Sequence, residues 1–165
     1  ESLDLFGTID CAVSVLDTIN HIDTLEKVKK SFEKVSLFMN MGGIFIFDIN
    51  TPYKHKKILG DNTFVYDMDD VYCVWQNSFD NNEHKTTIDL DFFIKNEDDE
   101  CYERYSENFC EYAYKPEEVI SLLDTYGFEV LDTFDDYSDN PVNAETQRMV
   151  IVARKNKTIF KDELK

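Results

Sequence analysis

The 165-residue sequence has few glycines and no glycine-rich turn. Only five glycines are present, and none of them forms the G-x-G spacing of a turn that cradles a phosphate or a nucleotide. No apolar run approaches the ~20 residues that cross a bilayer. The residues that follow Glu1 also lack the basic and then apolar regions of a signal peptide. We therefore expect a soluble, cytoplasmic protein without a glycine-rich first loop of its own.

Positive charge is also scarce. The chain has 17 Lys and Arg against 34 Asp and Glu, which gives a net charge of −17. Such a chain is repelled by the backbone of nucleic acids and by anionic membranes, so we exclude both as partners. With 42% hydrophobic and 14% aromatic residues, it can still bury a core. The four cysteines form no C-x-x-C pair, which favours free thiols over a disulfide or a zinc site.

The first third of the sequence has the pattern of a strand, a helix and a second strand. Residues 9–16 and 44–49 are mostly apolar, which is typical of strands buried in a parallel sheet. Apolar residues at spacings of three and four indicate an amphipathic helix between them. Asp23 and Glu26 predict a capping box at its start, and residues 40–43 predict its end. Together these segments predict a right-handed βαβ unit.

The pattern then changes to segments rich in Thr, Val, Tyr, Phe and Trp, several of them bounded by polar turns. These predicted strands are residues 63–67, 71–80, 85–95 and 101–114. We interpret them as an antiparallel meander, inserted at about residues 60–114. Pro116 then begins a second helix that Gly127 ends. Strands at 129–134 and 148–154 complete an α/β fold in one domain over residues 1–165.

Polar side chains follow both strands of the βαβ unit. Asp17 and Asn20 come after the first strand, and Asp48 and Asn50 lie at the end of the second. In open α/β sheets, ligands bind outside the carboxyl ends of the parallel strands. The same residue types commonly satisfy hydrogen bonds in turns, so spacing alone leaves a binding role and a structural role equally open. We expect Asp17 and Asp48 to point into one shared cavity.

Several segments resemble those of class I S-adenosylmethionine-dependent methyltransferases. TIDCAVSVLDTIN at residues 8–20 is similar to their fourth strand, and MGGIFIFDINT at 41–51 is similar to their fifth. YERYSE at 102–107 and YGF at 126–128 resemble later segments of one subgroup. The resemblance covers nearly the whole chain. It implies a partial Rossmann-like methyltransferase sheet with an inserted meander, as the C-terminal part of a larger domain that begins at the fourth strand.

The resemblance also implies roles for individual residues, with S-adenosylmethionine as the cofactor and no metal. The residues expected to bind the cofactor are Val15, Leu16, Asp17 and Asn20. The expected catalytic residues are His21, Asp48 and Tyr53. The expected acceptor-binding residues are Asn50, Tyr102, Arg104 and Glu107. Two alternatives stay open: His21 is a structural histidine, and Arg104 and Glu107 pair with each other or with neighbouring strands.

We therefore predict methyl transfer to a small-molecule acceptor, by a chain that lacks the cofactor turn and is inactive alone. The alternative is a non-enzymatic α/β binding or interaction module derived from a methyltransferase. The unpaired edge of the first strand predicts a homo-oligomer, or pairing with the missing N-terminal segment. Trp75 is expected in the core, and His55 and His84 are expected to be exposed to solvent.

Overall fold

A computed structural model describes residues 3–96 and 101–158 of the chain. It contains eight strands and two α-helices within those ranges, with a short π-helical segment at Lys54–Leu59. In chain order the elements are β1 (Ile9–Ser14), α1 (Leu25–Phe38), β2 (Met39–Asn50), β3 (Thr63–Asp67), β4 (Val71–Asp80), β5 (Lys85–Lys95), β6 (Tyr102–Tyr112), α2 (Pro116–Thr125), β7 (Phe128–Asp135) and β8 (Arg148–Lys155). The mixed α/β fold predicted from the sequence is confirmed.

The first sheet has the strand order β1-β2-β8-β7. β1 and β2 are parallel, as the predicted βαβ unit requires, whereas β2 pairs with β8, and β8 with β7, in antiparallel fashion. Asn50 at the end of β2 lies opposite Arg148 at the start of β8. This register places Arg148 at the edge of the sheet where β1 and β2 end in polar residues. β1 is an edge strand of this sheet, next to β2, and self-association through it stays a prediction.

The start and the end of α1 differ from the sequence-based prediction. The N-cap is Thr24, whose hydroxyl accepts from the Lys27 backbone N–H, so the capping box at Asp23 and Glu26 is wrong. Asp23 instead accepts from the Lys27 ammonium at 2.7 Å. The helix ends at Phe38 and β2 begins at the next residue, so residues 40–43 belong to a strand.

Residues 40–43 form an irregularity in the pairing of β1 with β2. Ile9 lies opposite Met39, yet Cys11 lies opposite Ile44, so β2 carries extra residues there. Gly42 takes a φ of +82°, which favours glycine. The two glycines that suggested a helix end therefore shape a bulge in the strand.

The second sheet is the predicted meander, with strand order β3-β4-β5-β6 and antiparallel pairing throughout. It meets the first half of the fold where the Tyr112 backbone N–H donates to the Asn20 carbonyl at 2.8 Å. Trp75, expected in the core, is only half-buried on β4, where its indole donates to Asn77. The meander is thereby attached beside the polar ends of β1 and β2.

The core lies between the first sheet and the two α-helices. Phe32 of α1 packs on Phe47 of β2 with ring centroids 5.2 Å apart, and Phe45 stacks on Phe47 at 4.7 Å. Leu123 of α2 and Ile151 of β8 are fully buried in the same cluster. Burial of each such side chain contributes roughly 1.5–3 kcal/mol. This packing provides a rigid support for the polar ends of the strands.

Candidate functional site

Asp48 is the centre of the polar cluster at the end of β2. Its side chain is fully buried, with 0% exposure, and both carboxylate oxygens accept hydrogen bonds. The backbone N–H groups of Leu16 and Asp17 donate to it at 2.9 and 2.6 Å. The Arg148 guanidinium donates at 3.0 Å, and the Tyr137 hydroxyl also donates. The carboxylate therefore has four donors, two on each oxygen, and fixes the segment after β1.

The segment held by Asp48 has an uncommon backbone. Leu16 and Asp17 have φ values of +57° and +53°, in the left-handed region that non-glycine residues rarely adopt. Such conformations persist where the surroundings enforce them, and they cluster at ligand sites. Val15 and Leu16 are 39% and 66% exposed, although both are apolar. The result is a protruding apolar tip on a constrained backbone, which we call the β1 tip (Val15–Asp17).

Asn20 and Asn50 join the ends of β1 and β2. The Asn20 amide donates to the Asn50 and Tyr112 carbonyls at 3.0 and 2.9 Å, and its oxygen accepts from the Asn50 N–H at 2.8 Å. Asn20 is completely buried. Its shorter hydrogen bonds all go to backbone groups, and its amide also lies 3.5 Å from His55 Nε2, so Asn20 orients the two strands and the start of the loop after β6.

The Asn50 side chain connects the β1 tip to the meander. Its amide donates to Asp17 at 2.6 Å and to Glu111 of β6 at 2.8 Å, while its oxygen accepts from Lys54 at 2.9 Å. Glu111 is nearly fully buried, and this burial raises the pKa of its carboxyl, against the lowering effect of the Asn50 hydrogen bond. One buried amide thus links three polar side chains from three parts of the fold.

His55 completes this network beneath the surface, although the sequence suggested an exposed histidine. That expectation is wrong, because His55 is fully buried in the π-helical segment and its Nδ1 lies 2.8 Å from the Thr86 hydroxyl. Its Nε2 lies 3.9 Å from Glu111. Burial, followed by the charge of Lys54, lowers the pKa of His55 from 6.5 to about 4. His55 is consequently neutral near pH 7. His84 is exposed, as expected.

A cleft of about 610 Å³ opens beside this cluster. It is lined by Lys54, Arg148, Asp135 at the end of β7 and residues of the connection between β7 and β8, among them Asp136 and Glu145. Arg148 reaches from the cleft to the strand ends, with Nη1 3.0 Å from Asp48 and Nη2 3.8 Å from Asp17. The cleft and the β1 tip therefore share Arg148.

Tyr137 joins the β7–β8 connection to the β1 tip. Its hydroxyl donates to Asp48 and accepts from the Leu16 N–H at 3.3 Å. The Arg148 guanidinium lies over its ring, 5.7 Å from the centroid. Burial and then the hydrogen bond to Asp48 raise the pKa of the Tyr137 hydroxyl. Tyr137 stands between the tip and the cleft.

The predicted catalytic residues do not all lie together. Asp48 is in the cluster described above. His21 is exposed, with its ring 5.3 Å from that of Phe109 on β6. Tyr53 lines a separate cavity of about 350 Å³ together with Met149.

Three predicted acceptor-binding residues lie on the second sheet, away from the cluster. Tyr102, Arg104 and Glu107 belong to the exposed part of β6. Arg104 forms a bidentate ion pair with Asp91 of β5 and does not pair with Glu107. Arg104 and Glu107 do line a common cavity of about 280 Å³ on the meander. Asn50 is the predicted acceptor-binding residue that the structure places in the cluster.

Sequence reasoning missed five residues of this site, namely Lys54, His55, Glu111, Tyr137 and Arg148. They lie on the π-helical segment, on β6, after β7 and on β8. An Arg directly before the apolar run of the last strand was the one visible signal. Within the described residues, no group of three His, Cys, Asp or Glu side chains could hold a metal ion, and no helix is long and apolar enough to cross a membrane.

Comparisons with known proteins find methyltransferases. A crystal structure of an S-adenosylmethionine-dependent methyltransferase from Clostridium acetobutylicum ATCC 824 is 33% identical, with a TM-score of 0.87 over 94% of this chain and 62% of that one. The protein named "Putative methyltransferase YqeM" of Bacillus subtilis (strain 168) is 28% identical over 93% of this chain and 61% of its own length. The S-adenosylmethionine-bound amino pentose methyltransferase CalS10 from Micromonospora echinaspora has the same fold, with a TM-score of 0.72 and 14% identity over 94% of this chain and 61% of that one.

No protein-family model matches the chain. The chain spans about three fifths of the length of the relatives it matches, 61% and 62% for the first two. The resemblance predicted from the strand and meander segments is thereby confirmed, and this chain has the fold of class I S-adenosylmethionine-dependent methyltransferases.

Proposed function

We propose that this chain takes part in methyl transfer from S-adenosylmethionine to a small-molecule acceptor. The observation that carries the proposal is the β1 tip: two exposed apolar side chains, Val15 and Leu16, at a left-handed stretch of backbone (Leu16 and Asp17) that a buried carboxylate fixes beside a polar cleft. A site that is rigidly held and still open to solvent suits a ligand better than a purely structural turn does. The relatives, which are named as methyltransferases, support the same activity.

The residues of the tip fit the cofactor that the fold implies. When bound, S-adenosylmethionine supplies an electrophilic methyl group on a cationic sulfonium. Val15 and Leu16 offer an apolar surface for its aliphatic part. The two carboxylates of Asp17 and Asp48 outnumber the one guanidinium of Arg148 that pairs with them, which leaves a net negative charge favourable for a cation. Asn20 and Asp48 are saturated by internal hydrogen bonds. We propose that these two residues position the tip and do not contact the cofactor directly.

The cleft beside the tip is the proposed acceptor site. Methyl transfer is an in-line displacement, so most of the rate enhancement comes from holding the acceptor at the correct place and angle. Arg148 bonds to Asp48 and also lines the cleft, which couples the position of the tip to that of the cleft. His21, exposed near Glu111, is the proposed base for an acceptor that must lose a proton. Tyr53 lines a neighbouring cavity and is proposed as a more distant contact.

The meander offers a second place for acceptor contacts. We keep three residues of β6 as proposed substrate contacts, on a meander that would act as a lid: Tyr102, Arg104 and Glu107. Two of them, Arg104 and Glu107, line a small cavity there. Replacement of Arg104 with Ala distinguishes the two locations. If the meander binds the acceptor, this change raises the KM for the acceptor. If the cleft alone binds it, the KM stays unchanged.

The test is calorimetric titration of S-adenosylmethionine into the protein, carrying any residues encoded ahead of Glu1, with methyl transfer followed by mass spectrometry. Leu16→Lys places a positive charge at the proposed sulfonium contact, and we expect affinity to fall at least about tenfold. Leu37→Lys is the matched control, because Leu37 on α1 is 64% exposed, almost the same as Leu16. Equal affinities of the two variants would contradict the proposed contact. Absence of binding by the unaltered protein would favour the non-enzymatic module.

A further inference from the structure

We propose that the acceptor is an amine with an apolar body, and that the inner face of the meander binds that body. This inference rests on the proposed function, because it names the chemical class of the acceptor and adds a surface to its contacts. The inner face is the side of the sheet on which Phe64, Trp75, Leu90 and Glu107 lie opposite one another, one on each strand. Residues at every second position along each strand share this face, because side chains alternate across a sheet.

The inner face is the side of the meander that adjoins the candidate site. Phe109 and Glu111 follow Glu107 on β6 at every second position, so both belong to this face. Glu111 accepts from the Asn50 amide at 2.8 Å, and the ring of Phe109 lies 5.3 Å from that of His21. The inner face therefore begins beside His21, the proposed base, and extends along the strands away from the polar cluster.

Beyond Phe109 the inner face is largely apolar and partly open. The row that contains Trp75 and Leu90 lies two residues further along the strands, a distance of about 7 Å. Both side chains are half-buried. The next row contains Tyr66 and Tyr105, which are 47% and 52% exposed. Partly exposed aromatic and aliphatic side chains beside a proposed base suit an acceptor with an apolar body of one or two rings.

The charge of the inner face favours a cationic acceptor. Within the described strands of the meander, its charged residues are Glu103, Glu107 and Glu111, and no Lys or Arg occupies an inner-face position. Arg104 pairs with Asp91 on the opposite face, and Glu107 forms no ion pair within the described part of the chain. Arg104→Ala therefore reports on the opposite face, and a change of Glu107 reports on the inner one. An anionic acceptor would be repelled, whereas an ammonium beside His21 would gain a counter-charge from Glu107.

An amine acceptor also gives His21 a defined task. The bound ammonium loses a proton to the His21 ring, which is exposed and can pass that proton to water. The nitrogen lone pair then forms the bond to the methyl carbon, while the bond from this carbon to the sulfonium sulfur breaks with its electron pair on sulfur. The products are the protonated methylamine and S-adenosylhomocysteine.

The experiment compares probes that differ in charge or in their apolar body. 2-Phenylethylamine, phenylacetate and butylamine are titrated near pH 7 into the isotope-labelled protein, carrying any residues encoded ahead of Glu1. The indole N–H signal of Trp75 and the backbone amides of Leu90 and Phe109 report binding at the inner face. We expect 2-phenylethylamine to shift these signals saturably and to bind about tenfold or more tightly than phenylacetate and butylamine.

Glu107→Gln tests the counter-charge, and we expect it to lower the affinity for 2-phenylethylamine about fivefold to tenfold. Asp67→Asn is the matched control, because it changes the net charge equally at an exposed position on the opposite face of β3, and it should leave the affinity unchanged. Thermal unfolding of both variants verifies that they are folded.

The proposal is overturned if phenylacetate or butylamine binds as tightly as 2-phenylethylamine, or if the two variants behave alike. It is also overturned if no probe shifts the Trp75 signal. In that case light scattering shows whether a second copy of the chain covers the inner face. S-adenosylmethionine affinity is measured separately on the same protein, so failure here is distinguishable from failure of the proposed function.

Discussion

Asp48 and Arg148 form an ion pair, 3.0 Å between Oδ1 and Nη1, at the ends of two neighbouring antiparallel strands. Asp48 is fully buried, and the Arg148 side chain is 14% exposed. A buried pair is maintained by its geometry, because loss of one partner leaves the other charge without compensation. This pair holds the β1 tip on one side and lines the cleft on the other, so its integrity bears on both halves of the proposed site.

Asp48→Asn should destabilise the protein. The change removes the charge that compensates Arg148 and replaces one acceptor oxygen with a donor that faces other donors. We expect the free energy of unfolding to fall by about 3 kcal/mol, measured by urea denaturation. Asp139→Asn is the control, because Asp139 is exposed and forms no ion pair within the described residues. It should change stability by less than about 0.5 kcal/mol. Equal effects of the two changes would contradict a structural role for the pair.

His55 should make stability fall as the pH decreases. Its pKa is about 4 in the folded protein and about 6.5 when unperturbed, so between these values the unfolded state binds a proton that the folded state does not. The stability that neutral His55 contributes above about pH 6.5 is lost progressively towards pH 4, by up to about 3 kcal/mol. Glu111 acts in the opposite direction, since its raised pKa favours the folded state when it is protonated.

Comparison with His55→Gln isolates this contribution. Between pH 6.5 and 4.5, the unfolding free energy of the unaltered protein should fall more steeply with decreasing pH than that of the variant. The difference between the two slopes should correspond to the uptake of close to one proton on unfolding. The NMR chemical shifts of the His55 ring carbons, followed against pH, report the protonation of the ring directly. A ring that titrates near pH 6.5 in the folded protein would refute the effect of burial.

Gly43→Ala should destabilise the bulge between β1 and β2. A Cβ at this position would lie 2.6 Å from Cγ of Met39, 2.9 Å from the Asn40 carbonyl oxygen and 3.1 Å from that of Asp10. Overpacking of this kind costs about 1–3 kcal/mol, which urea denaturation can measure. Gly7→Ala is the matched control, since nothing lies within 4 Å of a Cβ there. If the two alanine variants are equally stable, β2 does not approach β1 as closely as described.

Local patterns predicted the regular strands well. The composition of β5 and the polar turns that flank it indicated Lys85–Lys95 with the same bounds that the structure has. The end of α1 failed for a physical reason: glycines at residues 42 and 43 match a helix end, but pairing with β1 recruits them into a strand bulge. Pairing between strands depends on residues about 30 positions away, which a local pattern does not contain.

The residues of the candidate site also fall into two groups, those that local sequence patterns predict and those that they do not. Asp17, Asn20, Asp48 and Asn50 were predictable, because polar residues directly after buried strands mark the carboxyl ends of a sheet. Arg148 reaches Asp48 through antiparallel pairing across 100 residues of sequence, and Glu111 reaches Asn50 across 61. Such partners follow from the packing of the two sheets and have no spacing signature.

The proposed methyl transfer depends on contact between the β1 tip and the cofactor. Its most direct test is an amide-shift map of the isotope-labelled protein, carrying any residues encoded ahead of Glu1, during titration with S-adenosylhomocysteine. We expect saturable shifts at Val15, Leu16 and Asp17, with Leu37 on α1 unaffected. Saturable shifts that leave the β1 tip unperturbed, or no shifts at all, would contradict it.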